Sequence, residues 1–496
     1  MTDLIVGIKH VRDEIEILPI AGIEMSVAGF IGTAPDADED AFPLNTAIYL
    51  TTNMAAEIVL LGDTGTLPDA IRGVTDQLGV DQRAARIVIV RVEEGPDVAQ
   101  TIGNIIGEED DKTGIWAFLD SATVLGVTPR LCAAPGFTSQ RYAPLENPVI
   151  SNGGTGYSGT INVVFTGGTP VRPAAATAVL ATGVVTGFTW TDRGLYTTPP
   201  AISLSGGGGT GFAATVTLDD LANPVCAAIP TILDRMRAMF IADGPASSRQ
   251  AWIDWRETIQ SDRIIPLAID VKIAIGDGSI VVKPASPRVI GIGIRRDHEF
   301  DGRPFHSWAN QPVRGIVGPS RPIAFSLTDG AVEAQDLISR NAGVIVRGES
   351  GVEDAIAEGG FVFWGTDTCS EDPLWMFYHV MRGRDYIELG QIKTLRFYLG
   401  RFNITTQTVQ AILNTMDSGL SILRARGDIL DYRVGFEADK NSPEELRVGH
   451  VQVMFRAEEP PVLRKIIISS RRYREALVNL TRTIATQLSS VGTTNF

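Results

Sequence analysis

The sequence predicts a multidomain α/β protein, interrupted by one all-β module and carrying an extended arm at each end. Three observations lead there. The stretch Pro287 to Arg347 reads as an apolar strand over Val289 to Ile294, a polar loop, a helix with Ala331, Leu337 and Ile338 on one face, and a second strand over Gly343 to Val346. Strand, loop, helix and strand in that order is the grammar of an α/β core. From about Ser139 to Ala222 the composition changes: Gly, Thr, Ala and Pro dominate, and Lys and Glu almost disappear. A length of 496 residues is a prior for about three domains.

Composition narrows the function classes. Apolar residues make up 44% and charged residues 20% of the chain, as in ordinary soluble globular proteins. A net charge of −15 argues against a general nucleic-acid binder, because phosphates select a basic face. Three cysteines, Cys132, Cys226 and Cys369, without CxxC spacing, make no disulfide framework and suit a reducing compartment during synthesis. The N-terminus lacks a basic segment followed by an unbroken apolar run, and no eighteen-residue apolar stretch occurs. The expectation is a soluble, cytosol-made protein with no direct nucleic-acid or membrane partner.

Residues 1–20 read as an arm. Val11, Asp13, Ile15 and Ile17 lie on one side of an extended segment, Arg12, Glu14 and Glu16 on the other, and Pro19 ends it. About ten residues of strand with no hairpin partner nearby must pair with something distant. That partner is either the edge of the chain's own domain or another molecule. Residues 21–100 form a small α/β unit: strand SVAGFIG, strand TAIYLTT, amphipathic helix LPDAIRGVTDQLG and buried strand ARIVIVRV. Leu60-Leu61-Gly62-Asp63-Thr64-Gly65 imitates the Asp-Thr-Gly mark of aspartic proteases, where two carboxylates share a proton. It reads here as the turn before the helix.

A helix over Thr101 to Ile106 and the strand RLCAAPGF come next, and then the glycine-rich module of residues 139–222. Pro148-Val149-Ile150-Ser151 before Gly154-Thr155-Gly156-Tyr157 is echoed by Pro200-Ala201-Ile202-Ser203 before Gly209-Thr210-Gly211-Phe212. Short β-branched strands between glycine turns (INVVFTGG, TAVLATG, VVTGFTW, AATVTL) make this an all-β module. No Gly-Lys-Ser/Thr follows its glycine runs and no helix opens after them, so they are turns rather than phosphate loops. An insertion of this size is tolerated where it points away from packing contacts, which predicts an outward-facing decoration.

Residues 101–138 with 223–383 carry most of the predicted α/β core. Five histidines, His10, His298, His306, His379 and His450, are scattered, and His298 and His306 flank an acidic loop without the spacing of a metal pair. Gly348-Glu349-Ser350-Gly351 is not a nucleophile elbow. Residues 384–460 read as a strand over Leu395 to Phe402, a helix capped near Asn403 or Thr405, and two strands joined by a loop holding Asn-Ser-Pro. The helix bears Val409, Ile412, Leu413, Met416, Leu420 and Leu423 on a core-facing stripe. Residues 461–496 read as a strand, VLRKIIISS, and a helix with Tyr473, Leu477, Leu480, Ile484 and Leu488 in line. Residues 456–482 carry seven Arg or Lys against three acids, and residues 1–40 nine acids against two bases. Opposite-sign ends suit either head-to-tail association or neutralisation within one chain.

The wording resembles the contractile tail sheath proteins of myophages. The resemblance rests on NQPVRGIVG before a helix and on the NAGV turn into a strand. It rests also on APGFTS, which joins NPVCAAIPTILDRMRAMF once the glycine-rich module is removed. The closing hairpin, DYRV through NSPEEL and VGHVQV to EEPP, adds Asn441, Pro443 and Gly449 at turn positions of the family pattern. The resemblance implies a sheath core with a subtilisin-like α/β domain, an α+β C-terminal domain and an inserted all-β domain. The Gly-Thr-Ser-Met-Ala pattern and a matching Asp and His are missing, so no catalytic triad, cofactor or metal is expected. It implies an N-arm (Val11, Asp13, Ile15, Ile17) and a C-arm (Leu463, Lys465, Ile466, Ile467, Ile468) exchanged between subunits, with Arg471, Arg472 and Arg474 near the inner tube. The expected assembly is a helical stack of rings, hexameric by resemblance, around a tail tube protein and meeting baseplate and tail terminator proteins. It would be built in the host cytoplasm and belong to the virion tail. Contraction would release a stored, metastable conformation. The alternatives are the sheath of a phage-like bacteriocin or secretion system, a subtilisin-like hydrolase, and a surface adhesin built round the glycine-rich module.

Overall fold

The computed structural model describes residues 23–79, 83–219 and 222–490. Its centre is a six-stranded sheet, ordered Ile264–Leu267, Met239–Asp243, Leu131–Ala133, Ala28–Gly32, Arg86–Arg91 and Ala47–Thr51. Neighbours run parallel except the last pair, where Ala47–Thr51 is antiparallel to Arg86–Arg91. Ala28, Phe30, Val88, Val90, Leu131 and Phe240 are fully buried, as befits short apolar runs covered on both faces. Ala28–Gly32 pairs with Arg86–Arg91 on one side and Leu131–Ala133 on the other. One sheet therefore crosses the boundary expected at residue 100, and the strands Ala28–Gly32, Ala47–Thr51 and Arg86–Arg91 share a core with the strands Leu131–Ala133, Met239–Asp243 and Ile264–Leu267.

The helix Ser286–Glu299 corrects the strand expected over Val289 to Ile294. Val289, Ile290, Ile292 and Ile294 are all buried, and so are Gly291 and Gly293 between them. A helix apolar all round shows no polar face, and a short apolar run cannot separate it from a buried strand. The glycines permit close approach: a Cβ on Gly291 would lie 2.7 Å from the Gln77 side chain, and one on Gly293 2.7 Å from the Trp308 ring. Asp243 closes the start of the helix, accepting from the Ser286 backbone N–H at 2.8 Å and from its hydroxyl at 2.5 Å. Arg288 holds Asp69 of the helix Leu67–Gln77 with both prongs, at 2.5 and 2.8 Å.

The described part of the glycine-rich stretch forms strands joined by turns and loops, including a four-stranded antiparallel sheet ordered Ala201–Ser205, Asn162–Thr166, Ala175–Ala181 and Val184–Asp192. It has two small cores of its own, one round Leu145, Tyr196 and Val216, the other round Tyr157, Ile161 and Val185. The chain enters at Tyr142 and returns at Ala222, and these two residues bridge antiparallel, as do Leu145 and Leu218.

Beyond the sheet, the strand expected over Leu395 to Phe402 is instead the end of the helix Tyr378–Leu395 and the turns after it. Its aromatic and aliphatic residues pair with no strand; Phe397, Tyr398 and Phe402 contact one another. Thr405 caps the helix Thr406–Arg426 as expected, accepting from Thr408 N–H at 3.2 Å. Met416, Leu420 and Leu423 of its stripe are buried. The closing hairpin forms between Asp431–Phe436 and Val453–Glu458, with a short helix, Pro443–Arg447, in its connection.

Residues 461–496 make a second unit. Residues 462–470 have no regular secondary structure in the single chain. A single β-strand has no ladder without a partner. The helix Arg474–Ser490 comes after them.

Candidate assembly sites at the two ends of the chain

Of the predicted arm residues, Val11, Asp13, Ile15 and Ile17 lie outside the described residues. Residues 23–26, which follow the predicted arm, are described and are deeply anchored. Arg382 and Asp297 form a fully buried ion pair, with Nη1 at 3.0 Å from Oδ1 and Nη2 at 2.5 Å from Oδ2. Nη2 also donates to the Met25 carbonyl at 3.0 Å, and Ser26 Oγ donates to Asp297 at 3.0 Å. The guanidinium lies over the Trp308 ring at 5.0 Å. Burial pushes the Asp297 carboxyl above the ordinary carboxylate range, and Arg382 works against that shift. The Ile23 backbone amide lies against the Tyr386 hydroxyl.

Residues 457–460, just before the predicted C-terminal arm, are held alike. Arg384 grips Glu459 with Nε at 3.0 Å and Nη2 at 2.9 Å, and donates to the Ala457 carbonyl at 2.7 Å. Such two-pronged contacts fix direction as well as distance. His379 Nε2 meets the Pro460 carbonyl at 3.1 Å, so the neutral ring must carry its proton on that nitrogen. Burial lowers the His379 pKa to about 4. His379, Arg382, Arg384 and Tyr386 all belong to the helix Tyr378–Leu395, which Asp385 ties to Arg263 at 2.7 and 3.1 Å, next to the edge strand of the central sheet. None of these roles was marked in the sequence. A cluster of charges, Arg382-Gly383-Arg384-Asp385, inside a buried helix was the available signal.

In the C-terminal unit, Leu463, Lys465, Ile466, Ile467 and Ile468 are exposed, Ile467 and Ile468 at 81% and 85%. Arg471, Arg472 and Arg474 are exposed too, as are Tyr473, Leu477, Leu480, Ile484 and Leu488. Ile466, Ile467 and Ile468 form an exposed aliphatic run. Because the Leu480 side chain is exposed, Leu480→Ser is expected to change the stability of the unassembled subunit by less than about 0.5 kcal/mol. Thermal unfolding checks this, and a larger loss would mean the face is already covered.

The remaining candidates resolve separately. Asp63-Thr64-Gly65 is a turn in which Thr64 Oγ1 donates to Asp36 at 2.6 Å. His298 sits on the helix Ser286–Glu299, not in a loop, and His306 stacks on Phe300. Among the described residues no group of three or more His, Cys, Asp or Glu is placed to hold a metal ion, and no helix is long and apolar enough to cross a membrane.

The fold matches that of contractile injection system sheaths. Against the helical sheath of the anti-feeding prophage in its contracted state the TM-score is 0.58, with 14% identity, covering 95% of this chain and all of that one. Against the contracted PVC sheath complex of an extracellular contractile injection system it is 0.57, with 11% identity, covering 96% and 99%. No family model matches the sequence. The tail sheath protein of Escherichia phage P2 is 23% identical over 475 residues, covering 94% of both chains. The chain is thus similar in sequence, over most of its length, to a phage tail sheath protein, and similar in fold to the sheaths of contractile injection systems.

Proposed function

We propose that the chain is the structural subunit of a myophage contractile tail sheath, polymerising helically around a tail tube and contracting to drive that tube through a host envelope. The observation that carries this reading is the C-terminal unit, whose aliphatic run and helix are left in water. In the assembly, Leu463, Lys465, Ile466, Ile467 and Ile468 of one subunit pair as a strand with the segment of Val11, Asp13, Ile15 and Ile17 of another. Each added strand contributes about five or six backbone hydrogen bonds at about 1 kcal/mol net. Each aliphatic side chain taken from water adds about 1.5–3 kcal/mol before the cost of association. No catalytic step is needed.

The finer assignments build on that reading. The central sheet and its helices serve as the subtilisin-like body, residues 384–460 as the C-terminal domain, and residues 139–222 as an inserted domain facing outward. The insertion is supported by the adjacency of Tyr142 and Ala222, since inserted domains join their hosts where chain ends meet. Arg471, Arg472 and Arg474 face the tube, and charge reversal there that left tube binding intact would sink that assignment. The partners are further copies in hexameric rings, the tail tube, and baseplate and tail terminator proteins, in a virion tail assembled in the host cytoplasm. The likeness to injection-system sheaths supports a second reading, a phage-like bacteriocin or secretion-system sheath.

Negative-stain electron microscopy of the full chain and of a variant lacking residues 1–20 tests the proposal. Long hollow tubes from the full chain, lost or much shortened without the arm, are expected. A monodisperse monomer under all conditions would overturn self-assembly as its function.

A further inference from the structure

We propose that the helix Tyr378–Leu395 is a mechanical junction on which the roots of both arms are tied, so that load passing between neighbouring subunits crosses this one helix. The inference rests on the reading that the arms join subunits, and goes beyond it by naming where their pull meets. Flexible arms alone would keep subunits linked without telling either body how the other has turned. A shared rigid anchor does tell it.

The ties are specific. On the N-terminal side, Arg382 holds Met25 directly and Ser26 through Asp297, while Tyr386 meets Ile23. On the C-terminal side, Arg384 holds Ala457 and Glu459, and His379 holds Pro460. Between them Asp385 fixes the helix to Arg263 beside the central sheet, and Tyr378 donates to Gly365 while accepting from Trp308 N–H at 2.7 Å. The two roots are separated by more than four hundred residues of chain, yet the groups that hold them stand within eight positions of one helix. Each hold ends on backbone or on a polar side chain one step from it, which is where a pull along the chain must be resisted. Packing contacts alone slide; paired, directional hydrogen bonds do not.

A junction in series makes a prediction that two independent anchors do not. If the path runs from one root through the helix to the other, breaking either end opens it, and breaking both does little more. Independent anchors would give effects that multiply. The test uses the full chain assembled into tubes, with Ser26→Ala plus Tyr386→Phe loosening the N-terminal root, Glu459→Gln loosening the C-terminal root, and a combined variant. Tube length after a fixed mild shear is read by negative-stain microscopy, and thermal unfolding of the unassembled subunits reports folding. Each root variant is expected to fold and form tubes that break to a third or less of wild-type length, and the combined variant to break no further than the weaker of the two. Wild-type lengths in either root variant, or a combined loss equal to the product of the two, would overturn the junction. If Glu459→Gln does not fold, Arg384→Lys, which keeps the charge and loses the two-pronged contact, takes its place under the same criteria. Absence of tubes from the wild-type chain would instead overturn the sheath reading.

Discussion

Replacing Arg382 with Met is expected to destabilise the unassembled subunit by about 3–5 kcal/mol, the cost of leaving a buried carboxylate without its cation. The guanidinium is fully buried, spans both oxygens of Asp297 and also satisfies the Met25 carbonyl. Without it, Asp297 keeps only the Ser26 hydroxyl and must take up a proton or draw in water. Adding Asp297→Leu to Arg382→Met should return a large part of the loss, since an apolar pair of similar volume removes the stranded charge. It should not return all of it, because Met25 O and Ser26 Oγ remain unpaired. Urea unfolding followed by tryptophan fluorescence, with Trp252, Trp255 and Trp308 all fully buried, measures both numbers. A loss below about 1 kcal/mol for the single substitution would show that the pair is open to solvent.

Much of the fold was legible because short apolar runs such as those around Phe30, Val88 and Phe240 suit the covered strands of a parallel sheet. The cap at Thr405 and the closing hairpin were equally local. The errors have local causes too. Over Val289 to Ile294 the apolar run carries no period, and the signals that would have decided it, Ser286-Pro287 at a helix start, lie outside it. Over Leu395 to Phe402, aromatic β-formers are held by the end of a long helix whose own packing overrides their propensity. Ile466 to Ile468 have the composition of a strand but pair with none of the described residues of their own chain. The anchors were illegible for another reason. Asp297 and Arg382 stand 85 residues apart, and Arg384 and Glu459 stand 75 apart, so no spacing rule connects them. Only the fold brings them together.

Acid should destabilise the subunit through His379, and His298 and His306, also lowered by burial, act in the same direction. His379 has its pKa lowered by burial to about 4 from an ordinary 6.5, with Arg382 and His306 adding to the shift and the Pro460 carbonyl opposing it. A depressed histidine leaves the unfolded chain binding more protons, so its contribution is present above pH 6.5 and is lost as pH falls from there towards 4. A shift of this size is worth on the order of 3 kcal/mol. Asp243 and Asp270 act in the other direction. Burial raises them to about 6 and about 7, so their contribution is fully present below the ordinary carboxylate range and is lost as pH rises through those values. The wild-type pH profile is therefore a partial cancellation and does not isolate the histidine. His379→Gln does, because the glutamine amide can still donate to Pro460 O and does not titrate. The stability difference between variant and wild type should grow in the variant's favour as pH falls from 6.5 to 4.5, and stay flat above 7. A difference independent of pH would mean that His379 titrates in the subunit as it does in the unfolded chain.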